Sequence, residues 1–135
     1  MRNISNIFFD LDHTIWDFDK NCAETLHELY NKYKLHKLGN FSSYHFCETY
    51  KSINVEMWKK YNSGKLTKAE IRTKRFSETF RRLGSDPRLV PARLNEDFMH
   101  LCPQKKNLIP YAQEVLSYLS GKYTLHIITN GFIET

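Results

Sequence analysis

Asp10 and Asp12 flank a single apolar residue at the end of a β-prone run, residues 4–9, and Thr14 follows two places later. In an extended segment residues two apart point to the same side, so the two carboxylates meet above the strand end while Leu11 turns into packing. Like charges that close together raise one pKa unless a cation intervenes, and a hard divalent ion such as Mg2+ is the natural remedy. One carboxylate can then attack phosphorus, while the other, held near neutrality, donates a proton to the leaving oxygen and later takes one from water. Taken alone, the pair is equally an Asx-turn or a strand-end cap. Thr14 adds a hydroxyl able to pin the turn or orient a carboxylate.

A complementary cluster, Thr129-Asn130-Gly131, stands at the end of a second β-prone run, residues 123–128. A hydroxyl, an amide and a glycine with free backbone amides form an anion-binding concavity at a strand terminus, where the hydroxyl can hold a phosphoryl oxygen. Read alone, this cluster is equally a turn signal. Placed at the ends of adjacent parallel strands, the two clusters face one phosphate.

Between the runs the apolar period changes to that of helices. Cys22, Leu26, Leu29, Tyr30 and Tyr33 form one stripe, ending near Leu38-Gly39, and Phe46, Tyr50, Ile53, Met57, Trp58 and Tyr61 form another, closed by Asn62-Ser63-Gly64. Thr67 and Glu70 make a capping box, after which Ile71, Phe76, Phe80 and Leu83 carry the apolar side to Gly84. A fourth helix is expected over 89–101 with Pro91 in its first turn. A linker at 103–107 and a fifth helix opened by Pro110 then lead to the second strand.

The order strand, four helices, helix, strand predicts an α/β chain in which the two strands are parallel neighbours and the four helices are inserted between them. The apolar density of residues 4–9 predicts a strand covered on both faces. A module spliced in after the first strand sits over the end where open α/β sheets bind ligands, and so acts as a lid. Trp16, Phe18, Tyr44 and Trp58 are candidates either for its core or for the roof of a pocket.

Composition narrows the function further. The chain has 135 residues, 41% of them hydrophobic, and a net charge of +5, but its basic residues are scattered among acidic ones and make no stripe, which argues against nucleic acid as a partner. Cys22, Cys47 and Cys102 have no C-x-x-C spacing and read as buried small side chains in a reducing compartment. With no long apolar run for a membrane span or a signal peptide, the expected location is cytoplasmic.

Asp10-Leu11-Asp12-His13-Thr14 resembles the first motif, D-x-D-x-T, of the haloacid dehalogenase (HAD) superfamily, and Ile127-Ile128-Thr129-Asn130-Gly131 resembles its second. The stretch from Phe9 to Phe18 is similar to the YjjG-like branch, whose members are pyrimidine nucleotidases. The resemblance implies a partial Rossmannoid core over 1–15 and 104–135, with a helical-bundle cap over 16–103. It implies a Mg2+-dependent phosphate-monoester hydrolase in which Asp10 is the nucleophile. Asp12 is then the general acid/base and a Mg2+ ligand through its carbonyl, and Thr14 a turn residue. Thr129, with the neighbouring Asn130 and Gly131, holds the phosphate of a small substrate, a nucleoside monophosphate.

The family's third motif, a lysine, and its acidic fourth motif have no match here; Lys122, Lys105 and Lys106 do not stand at matching positions, and Glu134 falls in the loop after the second motif. The sequence therefore reads as a truncated chain of low or absent turnover, whose open sheet could self-associate. Two alternatives share these residues: a phosphomutase of the same fold, and a helical binding or dimerisation module with a vestigial site.

Overall fold

The computed structural model describes residues 4–131. Strand β1 (Asn6–Asp10) is followed by α1 (Phe18–Lys32), α2 (Ser43–Asn62), α3 (Lys68–Arg82), α4 (Leu94–Leu101), α5 (Ala112–Ser120) and β2 (Thr124–Ile128). The strands pair in parallel, with Asn6 opposite Thr124 and Asp10 opposite Ile128. Both α/β class and strand pairing are as the element order predicts. Phe9 and Leu125 are half-buried, and α5 packs on β2. Phe8, Ile127 and Ile128 nevertheless remain 59%, 60% and 58% exposed, so among the described residues these strands are not covered on both faces. The apolar run reports two faces that favour burial, and α5 covers one.

The main hydrophobic core lies in the helical segment. Cys22, Leu26 and Leu29 of α1 meet Phe46 and Tyr50 of α2, Phe76 and Phe80 of α3, and Phe98 of α4. These residues lie on the stripes anticipated from the helical period, and three aromatic rings, Tyr50, Phe76 and Phe98, pack mutually at centroid distances of 4.9–5.7 Å. A smaller cluster of Ile53, Met57 and Ile71 closes the far end of α2 against α3. Cys22, Cys47 and Cys102 are all buried thiols. The capping box is formed: Thr67 Oγ1 accepts from the Glu70 amide at 3.2 Å, and Glu70 accepts from the Thr67 amide at 2.9 Å.

Three boundaries differ from the sequence reading. α1 ends at Lys32 rather than near Gly39, because Lys34 adopts a left-handed conformation (φ 51°) that lets Leu35 drop into the core. Pro91 lies outside any helix. Asp86 instead caps a 3-10 turn at Pro87–Leu89, Val90 is extended as a residue before proline must be, and α4 starts at Leu94. Pro110 does not open α5 directly. Tyr111 takes φ 66° and the Ala112 amide donates to the Ile109 carbonyl at 3.0 Å, a type II turn from which α5 begins. Among the described residues no helix is long and apolar enough to cross a membrane.

Candidate functional site

The register that sets Asp10 opposite Ile128 brings the two sequence clusters together, because Thr129 is the first residue beyond β2. Phe8, Phe9, Asp10, Ile128, Thr129 and Asn130 line an open cleft of about 250 Å³ at these strand ends. Asp10 is exposed there, and its Oδ1 accepts the Leu11 amide at 2.9 Å. Thr129 Oγ1 accepts the Gly131 amide at 3.0 Å, so this amide is engaged by the threonine hydroxyl rather than left open for an anion.

Past Asp10 the chain folds into a tight loop. The Leu11 carbonyl accepts the amides of Thr14, Ile15 and Trp16 at 3.4, 3.0 and 2.9 Å, and the His13 amide donates to the Trp16 carbonyl at 3.0 Å. His13 carries the turn at φ 59°, a conformation uncommon outside glycine, and buried Ile15 anchors the loop below. Asp12 is half-buried in this loop. Burial pushes its carboxyl above the usual range, His13 partly opposes that, and the charge of Asp10 adds to it. The two carboxylates thus feel one another, as their spacing implies. Thr14 is placed differently: it lines a second cavity of about 140 Å³ with Phe9, Pro110, Tyr111 and Leu116.

Both chain crossings between strands and helices are tied together. The Ile109 amide donates to the Ile15 carbonyl at 2.9 Å and the Asp17 amide to the Asn107 carbonyl at 3.0 Å. Trp16 Nε1 donates to the Lys105 carbonyl at 2.9 Å. Asn21 and Asn107, which carry no signal in the sequence, lock this junction. Of the four candidate roof aromatics, Trp16 and Phe18 pack on the main core and Trp58 on the smaller cluster, whereas Tyr44 is exposed.

A contact from the helical segment reaches the second cluster directly. Lys68, the first residue of α3, donates from Nζ to the Gly131 carbonyl at 3.0 Å. No motif marks this lysine among the chain's 20 basic residues.

No protein-family model matches the chain. Individual proteins do. YfnB of Bacillus subtilis (strain 168), named as a HAD-hydrolase, is 27% identical over 135 residues, which is 100% of this chain and 54% of its own. The pyrimidine 5'-nucleotidase YjjG of Escherichia coli (strain K12) is 29% identical over 126 residues, 93% of this chain and 51% of its own. A crystal structure of YfnB bound to magnesium superposes with a TM-score of 0.80 at 27% identity, over 97% of this chain and 54% of that one. Over nearly its whole length the chain is similar to these haloacid dehalogenase-type hydrolases. It spans about half the length of the curated relatives it matches.

The described residues include no group of three or more His, Cys, Asp or Glu side chains fit to hold a metal. The Asp10 carboxylate and the backbone carbonyl of Asp12 offer oxygen donors, and oxygen donors with water completing the shell suit Mg2+.

Proposed function

We propose that this protein is a Mg2+-dependent phosphate-monoester hydrolase that works through an aspartyl-phosphate, with pyrimidine nucleoside monophosphates as its substrate class and the cytoplasm as its location. The observation that carries the proposal is the pairing of Asp10 with Ile128, which sets a carboxylate beside the hydroxyl of Thr129 at one cleft. The likeness to YjjG supports the nucleotide substrate, and the magnesium-bound YfnB structure supports the cofactor.

In this reading an Asp10 carboxylate oxygen attacks phosphorus and the ester P–O bond breaks. The proton on Asp12 passes to the departing alkoxide. Water then attacks the phosphorus of the aspartyl-phosphate, returns a proton to Asp12 and releases phosphate. The raised pKa of Asp12 suits the first step, in which it must arrive protonated. Thr129 and Asn130 hold phosphoryl oxygens beside Gly131, and Thr14 shapes the loop that presents both aspartates. Mg2+, which the Asp10 carboxylate and the Asp12 backbone carbonyl would hold, would supply neutralising positive charge at the phosphoryl group.

We assign residues 16–103 to a cap and residues 1–15 and 104–135 to the Rossmannoid core; residues 1–3 and 132–135, including Glu134, lie outside the described residues.

The test is phosphate release by the natural gene product across nucleoside monophosphates and sugar phosphates, with and without Mg2+. Release that needs Mg2+, prefers pyrimidine nucleotides and disappears in Asp10→Asn is the expected result. Full release by Asp10→Asn would sink the mechanism, and transfer to a sugar rather than to water would mark a mutase.

A further inference from the structure

The position of Lys68 at the edge of the phosphate loop goes beyond the two aspartates and the threonine. Lys68 is half-buried, and its ammonium donates to the Gly131 carbonyl at 3.0 Å and lies 5.9 Å from the ring centroid of Tyr61. The neighbouring acid is committed elsewhere: Glu70 accepts from Lys74 Nζ at 2.9 Å and from the Thr67 amide at 2.9 Å. Among the described residues no carboxylate pairs with Lys68. A cation held by one neutral carbonyl and an aromatic ring gains when a phosphate oxygen enters its reach, because the anionic oxygen adds a charge–charge attraction that a neutral carbonyl lacks. Gly131 belongs to the loop in which Thr129 stands, so the amine is already at the rim of the anion-binding cluster.

We propose that Lys68 is a substrate-binding residue supplied by the helical segment: on entry of a phosphorylated substrate its ammonium exchanges the Gly131 carbonyl for a phosphate oxygen. This rests on the phosphatase reading above for its substrate, but not for its test. Lys68 is placed on α3 and Asp10 at the end of β1, so a phosphate held by Lys68 would bridge the helical segment and the strand ends.

The experiment measures binding of inorganic phosphate to the full natural protein by calorimetry, alongside steady-state kinetics, for the unsubstituted protein, Lys68→Met, Lys68→Gln and Lys68→Arg. Loss of the charged contact should weaken phosphate binding and raise KM about ten- to hundredfold in Lys68→Met, with kcat changed far less. Lys68→Arg should recover most of the binding. Lys68→Gln can still donate to the Gly131 carbonyl, so a latch with no role for charge would be rescued by it; the proposal expects no rescue. Unchanged phosphate affinity in Lys68→Met, or full rescue by Lys68→Gln, would overturn the assignment. Absence of turnover in the unsubstituted protein would instead refute the phosphatase reading, and the phosphate titration would still decide the role of Lys68.

Discussion

Asn21 Oδ1 accepts both the backbone amide and the side-chain amide of Asn107, at 3.1 and 2.7 Å, while Asn21 Nδ2 donates to the Asn107 carbonyl at 2.9 Å. Asn21 is fully buried, so its own amide group would otherwise lack water as a substitute partner. The pair therefore fixes the chain returning from the helices to the chain entering them. Replacing Asn21 with alanine should cost about 1–3 kcal/mol, since the Asn107 backbone amide and carbonyl lose their side-chain partner, while the Asn107 side-chain amide keeps Glu24 as an acceptor. Urea unfolding measures that cost, and hydrogen exchange should show faster exchange at the amides of Asp17, Asn107 and Ile109. Unaltered exchange there would mean that the neighbouring backbone bonds hold the junction without the asparagines.

The start of α3 makes a second, pH-dependent prediction. Lys74, then the amide and hydroxyl of Thr67, hold the Glu70 carboxyl down at about 2. A carboxylate whose folded pKa is depressed adds stability that is present above its unfolded value, about 4.3, and fades as pH falls toward 2. Thr67→Ala should cost about 1 kcal/mol near neutrality through loss of the N-cap. Glu70→Gln should lower the melting temperature at pH 7 but make little difference at pH 2. An equal loss at both values would assign the effect to helix propensity instead.

Asp12 carries the opposite sign. Burial, aided by the charge of Asp10, raises its carboxyl pKa, so the native state favours the protonated form. That preference stabilises the fold below the unfolded aspartate value, about 3.9, and is lost as pH rises through the folded one. Asp12→Asn removes the ionisation, so it should raise the melting temperature at pH 7 and leave it nearly unchanged at pH 3. The same substitution should strongly reduce phosphatase turnover. A melting temperature lowered at pH 7 would show that the ionised carboxylate is a stabilising acceptor in the loop.

What the sequence made legible follows from the range of the forces involved. The stripe of Cys22, Leu26 and Leu29 and the capping box at Thr67 are local periodicities, and both are present in the fold. The meeting of Asp10 with Thr129 was also legible, since a parallel crossover leaves adjacent strands ending on the same side. The Asn21–Asn107 clasp and the Lys68–Gly131 contact were not. Each joins residues more than 60 positions apart through polar groups that look like ordinary surface residues in the chain. The turns at Lys34 and Tyr111 escaped for a different reason: both residues adopt a left-handed conformation that the sequence would reserve for glycine.

Gly39 illustrates how a correct residue can be read for the wrong cause. It suggests a helix stop, yet α1 has already ended at Lys32, and the glycine instead sits where a Cβ would lie 1.9 Å from Ser85 Oγ and 2.6 Å from the Phe41 ring. Ser85 is itself buried and donates to the Leu38 carbonyl at 3.1 Å, and Phe41 packs edge-on to Phe80 at 5.7 Å, so neither neighbour can move without breaking its own contacts. Gly39→Ala should therefore destabilise the fold by about 1–3 kcal/mol, the usual cost of overpacking. The double variant Gly39→Ala with Ser85→Gly removes the closest clash while leaving the ring. Partial recovery in urea unfolding would assign the cost to Ser85, and no recovery would assign it to Phe41. Gly39→Ala as stable as the unsubstituted protein would show that this loop is not held as closely against α3 as the distances imply.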